Sequence, residues 1–246
     1  MAMALPRSPA RTPRRLPKLL VGLAVFATVT GAYATVIHHR ATDEAAQRLP
    51  DGDRPTGRCS LWFVGSSTIA RWQTLSRDMA PWDAHRRGVE GAVLPQLTQW
   101  FGNDPAGPRP AAIILYGGEN DIAAGASVDD TIRAYRHFIA AKVARFGALP
   151  VIALSLKPSP TRWSNLPDQT RFNRWLLRYA LERPDLSLVD IRPLLLVDHR
   201  PGPFYAADGI HLNPAGYTRW TTAIRTRIGQ VLPPETVHAC LTPDHR

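Results

Sequence analysis

The sequence predicts an α/β domain built on a parallel sheet with helices on both faces, and three features carry the prediction. Short runs of consecutive apolar residues recur along the chain, as expected of strands buried on both sides. Longer stretches with apolar residues at helical spacing lie between them. Runs and stretches alternate rather than cluster, the pattern of crossover connections in a parallel sheet. The size, 246 residues and 27.2 kDa, suits one such domain with some chain to spare.

The spare chain comes first. Arg7, Arg11, Arg14, Arg15 and Lys18 all precede the first acidic residue, Asp43, and residues 19–37 (LLVGLAVFATVTGAYATVI) carry no charge. A helix of that length spans roughly 28 Å, close to a bilayer's hydrocarbon thickness. Basic residues ahead of it belong on the cytoplasmic side, so the rest of the chain is expected on the far side. Residues 1–39 therefore read as a leader. It is either a transmembrane anchor through 19–37 or a signal peptide cleaved after Ala34 in Ala32-Tyr33-Ala34, and the length of the apolar run favours the anchor. The domain is accordingly expected to be membrane-anchored and extracytoplasmic, or secreted or periplasmic if cleaved. Residues 40–57, with Pro50, Gly52, Pro55 and Gly57, read as a short helix and a linker.

The domain itself is expected over 58–232, with 233–246 as a tail. Ser60–Val64, Ala111–Tyr116, Val151–Leu156 and Leu186–Val189 are the strand candidates, and another strand is expected just before Arg87. Val128–Phe146 has helical spacing through Ile132, Tyr135, Ile139 and Val143. Asp168–Leu181 repeats it through Phe172, Trp175, Leu176 and Tyr179. Asn213-Pro214, a capping residue followed by proline, opens a last helix to about Ile228.

Composition excludes several classes. The formal charge is +10, but without residues 1–34 there remain 25 basic against 20 acidic residues, an ordinary surface balance. No basic stripe with interleaved stacking aromatics appears, so no nucleic-acid partner is expected. The two cysteines are too few for a disulfide-built fold or a cysteine-rich zinc site. In an exported domain Cys59 and Cys240 either pair, tying its ends together, or remain two unrelated thiols. His38-His39 reads as a solvated flank rather than a metal pair.

In parallel α/β sheets ligands sit beyond the carboxyl ends of the strands, so the residues after each strand are the candidates. After the first come Gly65-Ser66-Ser67-Thr68-Ile69. A serine at a strand-to-helix turn is a nucleophile if a base lies within reach and otherwise a routine cap. After the second come Arg87-Gly88-Val89-Glu90-Gly91, with a glycine N–H as a donor. Gly118-Glu119-Asn120-Asp121 follows the third strand, where an Asn amide can donate to an anionic oxygen and where a plain turn is the local alternative. Asp208-Gly209-Ile210-His211 precedes the last helix. There a carboxylate three residues before an imidazole can fold back onto its Nδ1–H and leave Nε2 as a base.

These four blocks, in this order, resemble the SGNH (GDSL-type) hydrolase family, serine esterases with a flavodoxin-like three-layer α/β/α fold. The resemblance implies Ser67 as nucleophile, His211 as general base and Asp208 as its orienter. It implies an oxyanion hole made of the Ser67 and Gly91 backbone N–H groups and the Asn120 side chain. It requires no metal or organic cofactor. Ser66 stands where the family expects Asp and so competes with Ser67 for the nucleophile's place. Glu90 stands beside the oxyanion glycine and is expected to face outward, and Arg86 replaces a common Asn. Lys157-Pro158-Ser159-Pro160 with Arg162-Trp163 is similar to one bacterial subgroup, with no chemistry assigned. The implied activity is hydrolysis of small acyl esters, of acetylated glycans or lipid-derived compounds, with Trp72, Trp100, Trp163 and Tyr205 as candidate cleft aromatics. The alternatives are an acyltransferase using the same site and a non-catalytic envelope-binding domain.

Overall fold

The computed structural model describes residues 46–105 and 107–242. The leader, the 19–37 stretch, Ala32-Tyr33-Ala34 and His38-His39 lie outside the described residues. Among the described residues no helix is long and apolar enough to cross a membrane.

The central sheet has five parallel strands: β1 (Ser60–Gly65), β2 (Asp83–Gly88), β3 (Ala112–Tyr116), β4 (Val151–Leu154) and β5 (Leu186–Val189), in the order β2-β1-β3-β4-β5. This is the doubly wound order whose direction of travel reverses at β1 and β3, and the crevice at such a switch point is where ligands bind. Strands β1, β3 and β4 are buried along their whole length, which is why they read as unbroken apolar runs.

The flanking helices are α1 (Ser67–Ala70), α2 (Leu75–Met79), α3 (Leu94–Gly102), α4 (Glu119–Ala123), α5 (Val128–Phe146), α6 (Leu166–Leu181), α7 (Pro214–Val231) and α8 (Pro234–Leu241). Together with the sheet they give the three-layer α/β/α arrangement. A small antiparallel pair, β6 (Leu196–Val197) and β7 (Arg200–Pro201), stands apart from the sheet. Asn213 caps α7 by accepting from the Gly216 N–H at 3.0 Å, with Pro214 at the first helical position.

Several expectations are corrected. Strand β4 ends at Leu154: Ser155 N–H still donates to Val189 O of β5 at 3.1 Å, but Leu156 N–H turns away and donates to Asn173 Oδ1 of α6 at 2.7 Å. Strand β3 starts at Ala112, α6 starts earlier at Leu166, and α7 runs on to Val231. The stretch taken as a linker is packed. Leu49 is buried in the core, and Pro50 O accepts from Arg87 Nε at 3.0 Å. Arg54 donates at 3.2 Å to the Ala84 carbonyl on β2, so this segment supplies a donor to the open edge of the sheet. The residues taken as a tail form α8, whose Cys240 is buried in the core.

Trp72 and Trp100, taken as cleft aromatics, are core residues at 0% and 3% exposure. Trp72 stacks on Tyr217 and donates Nε1–H to Asp78 at 2.8 Å. Tyr217 in turn donates its hydroxyl to the Thr68 carbonyl at 2.9 Å, fixing α7 against α1.

Cys59 and Cys240 form a disulfide across 181 positions of sequence. Cross-linking so large a loop restricts the unfolded chain strongly. Replacing both cysteines by serine is expected to lower stability by about 2–5 kcal/mol, read as an earlier urea midpoint under non-reducing conditions. A midpoint that does not move would contradict it.

Candidate active site

Ser67 reaches the rim of the sheet directly after β1. A Cβ at Gly65 would lie 2.4 Å from the Tyr116 carbonyl oxygen, so only glycine lets β1 and β3 close at this point. The chain turns at Ser66, whose N–H donates to that carbonyl at 3.3 Å, and α1 begins at Ser67. The first helical turn leaves the Ser67 N–H without an intrahelical acceptor.

The hydroxyl that meets the imidazole is that of Ser67, not Ser66: Ser67 Oγ lies 2.8 Å from His211 Nε2. His211 Nδ1 lies 2.6 Å from Asp208 Oδ2. The other carboxylate oxygen, Oδ1, accepts from the Ile210 and His211 backbone N–H groups, each at 2.9 Å. Burial works against the charge on Asp208. Hydrogen bonds from the His211 ring and from the two amides outweigh it and hold the carboxyl well below the usual carboxylate range. An ionised carboxylate only accepts, so the shared proton sits on Nδ1 and Nε2 is left to accept from Ser67.

The loop carrying Asp208 and His211 is pinned from the β4 side. Thr161 Oγ1 donates to Asp208 O at 2.7 Å, and Thr161 N–H donates to Gly209 O at 3.1 Å.

Asn120 lies in the first turn of α4, after β3, and Gly91 in the loop after β2. Asn120 Nδ2 donates to Ala92 O at 3.0 Å, joining the start of α4 to the loop beside Gly91. Gly91 has φ +71°, a left-handed conformation that a side chain disfavours, and its N–H has no acceptor among the described residues. Asp121 completes the joint. Both its carboxylate oxygens accept from the Leu94 N–H, at 3.1 and 3.2 Å, and so cap the start of α3. Burial raises the Asp121 carboxyl, and the backbone donors oppose that rise.

Glu90 is exposed, as expected, and its carboxylate is held by Arg71, whose Nε lies 2.9 Å from Oε1 and whose Nη2 lies 3.0 Å from Oε2. Arg71 Nη1 lies 3.3 Å from Asp208 Oδ2 and 2.9 Å from His211 Nδ1. With Nδ1–H already given to Asp208 there is no acceptor on that atom, so the guanidinium bonds the two carboxylates and bridges their loops. Sequence reading missed Arg71. The signal available was its spacing, four residues after Ser67 across one helical turn.

Of the remaining aromatics, Trp163 lines a groove of about 420 Å³ with Pro158, Leu166 and Leu196. Tyr205 is half-buried and donates its hydroxyl to Pro158 O at 2.7 Å. Among the described residues no group of His, Cys, Asp and Glu is arranged to hold a metal ion. What the described groups can do together is remove the Ser67 hydroxyl proton and present N–H donors nearby, the requirements of acyl transfer.

The family described as GDSL-like Lipase/Acylhydrolase matches residues 56–219. A GDSL-like lipase from Bacteroides thetaiotaomicron is similar in structure with a TM-score of 0.62 at 22% identity, covering 79% of this chain and 98% of that one. A lipase/acylhydrolase from Enterococcus faecalis has a TM-score of 0.57 at 15% identity, covering 72% and 98%. A carbohydrate esterase family 3 protein from Talaromyces cellulolyticus has a TM-score of 0.56 at 15% identity, covering 70% and 97%. At these identities the structures speak for the fold. No curated protein matches the chain.

Proposed function

The chain belongs to the GDSL-like lipase/acylhydrolase family, ester-hydrolysing enzymes, and from that premise we propose that it is a serine esterase working through an acyl-enzyme on Ser67. The observation that carries the proposal is the hydrogen-bonded series Ser67 Oγ, His211 Nε2, His211 Nδ1, Asp208 Oδ2.

In the proposed reaction Ser67 Oγ attacks the ester carbonyl carbon as its proton passes to His211 Nε2. The carbonyl oxygen takes up negative charge and is held by the Ser67 and Gly91 N–H groups and by Asn120 Nδ2. The bond to the alcohol oxygen then breaks, and that oxygen leaves with the proton from Nε2. Water repeats the sequence, giving its proton to His211 and its oxygen to the acyl carbon, and Ser67 is regenerated as the acid departs. Asp208 stays ionised and supports the imidazolium at both steps.

The proposed substrates are small acyl esters of glycans or lipid-derived compounds, met outside the cytoplasm. Support for that location comes from the basic stretch ahead of nineteen uncharged residues, and from the Cys59–Cys240 disulfide, a bond that persists in oxidising compartments. N-terminal sequencing of the mature chain separates a cleaved signal, starting after Ala34, from a retained anchor.

The test of the chemistry is hydrolysis of p-nitrophenyl acetate, butyrate and octanoate by the full chain, with a fluorophosphonate probe. The expected result is turnover highest on acetate and stoichiometric labelling of Ser67. Labelling elsewhere, or none in a folded active protein, would overturn the nucleophile assignment.

A further inference from the structure

Behind the proposed oxyanion hole lies a cluster of charges that the reaction above does not use. Glu119 is 2% exposed and Lys157 is 0% exposed, and the two are ion-paired through Glu119 Oε2. The Tyr116 hydroxyl donates to the same oxygen, and Lys157 Nζ donates to that hydroxyl at 3.2 Å. The other carboxylate oxygen, Glu119 Oε1, is buried without a hydrogen-bond partner and lies 3.4 Å from Arg162 Nη1. Arg162 Nη1 also donates to Asn120 Oδ1 at 2.8 Å. Lys157 and Arg162 belong to the Lys157–Trp163 stretch whose sequence suggested no role.

We propose that Arg162 is a positioning residue for the Asn120 amide, orienting and polarising it as an oxyanion donor, with Glu119, Lys157 and Tyr116 holding Arg162 in place. The proposal rests on the esterase reading above. A guanidinium has donors and no acceptor, so the Asn120 atom that faces it must be Oδ1, and the NH₂ group is turned the other way. There one N–H is used by the Ala92 carbonyl and the second is left for a ligand. Drawing electron density toward Oδ1 makes the amide N–H a stronger donor, as in any polarised hydrogen-bond chain. Arg162 never touches the substrate in this scheme and acts through Asn120.

The experiment is a double-mutant cycle on p-nitrophenyl acetate with Arg162→Ala, Asn120→Ala and the pair, and with Ser67→Ala as reference. Asn120→Ala is expected to lose about 10²–10³-fold in kcat as the donor itself goes. Arg162→Ala is expected to lose about tenfold or more in kcat with KM little changed, as for a group acting only on the transition state. In the Asn120→Ala background the arginine change is expected to cost less than about twofold, the non-additivity of residues that act as one unit. Independent, multiplying losses, or an unchanged kcat in folded Arg162→Ala, would overturn the proposal. If Arg162→Ala does not fold, Arg162→Met replaces it in the cycle, since methionine keeps an unbranched apolar stem but lacks the charge and the donor that Nη1 gives Asn120 Oδ1. An active Ser67→Ala would instead sink the esterase reading, whatever Arg162 does.

Discussion

Ser67→Ala and His211→Ala are each expected to lower kcat on the order of 10⁶-fold on p-nitrophenyl acetate, with the double variant no worse than either alone. Without the hydroxyl there is no acyl-enzyme, and without the imidazole the Ser67 proton has no acceptor, so each change removes the same step. The two side chains meet at 2.8 Å and come from blocks 144 residues apart. Neither substitution disturbs what holds them. The joint between α1 and α7 is the Tyr217–Thr68 hydrogen bond and the Trp72–Tyr217 stack, and the loop of His211 is held by Thr161. Melting temperatures close to wild type are therefore expected beside the lost activity. Retention of wild-type rate by either folded variant, or losses that multiply in the double variant, would count against the acyl-enzyme route.

Asp208→Asn is expected to cost about 10⁴-fold in kcat while leaving the loop intact. The asparagine oxygen can still accept from the Ile210 and His211 N–H groups that now bind Oδ1. What changes is the atom facing the ring. An amide NH₂ there donates to Nδ1 and drives the proton to Nε2, where the base must be free. The neighbouring Arg71 would also lose one of its two carboxylates. In the native protein the Asp208 carboxyl is held well below the usual range, so its contribution to stability is present above the unfolded-state value and is lost only as the pH falls through the lowered folded one. The stability gap between wild type and Asp208→Asn is thus expected to narrow on acidification, which urea midpoints measured across the acid range would check. A gap that widens toward low pH would contradict the assignment.

Much of the architecture was legible because parallel strands buried on both faces are mostly apolar, as β3 and β4 are throughout and β1 is after Ser60. Strand β2 shows the opposite case. Its sequence, DAHRRG, carries no apolar pattern, yet Arg87 is buried. Its guanidinium stacks over the Trp62 ring at 4.1 Å and pairs with Asp104 at 2.8 Å. A strand stabilised by such distant partners offers nothing for local periodicity to detect. The packed segment around Leu49 and Arg54 escaped for the same reason, since its apolar content is slight and its hydrogen bonds go to an edge strand 30 or more positions away. Among the site residues, those with a local signature were found: a serine at a turn, an Asn among turn residues, a carboxylate three positions before a histidine. Arg71 and Arg162 were not given roles, because arginine is common on surfaces and its reach is long enough to serve almost any neighbour.

From the chain alone came the alternation that specifies a doubly wound sheet and the four blocks that could act at its rim. Both are written in near neighbours, through burial periodicity and the chemistry of short turns. Convergence was decided by tertiary structure. The strand order set Ser67 and Asn120 on adjacent strand ends, the packing of α7 on α1 brought His211 to the serine, and the fold chose which arginine meets which carboxylate. Distances of this kind depend on how whole elements stack, and no local pattern encodes them.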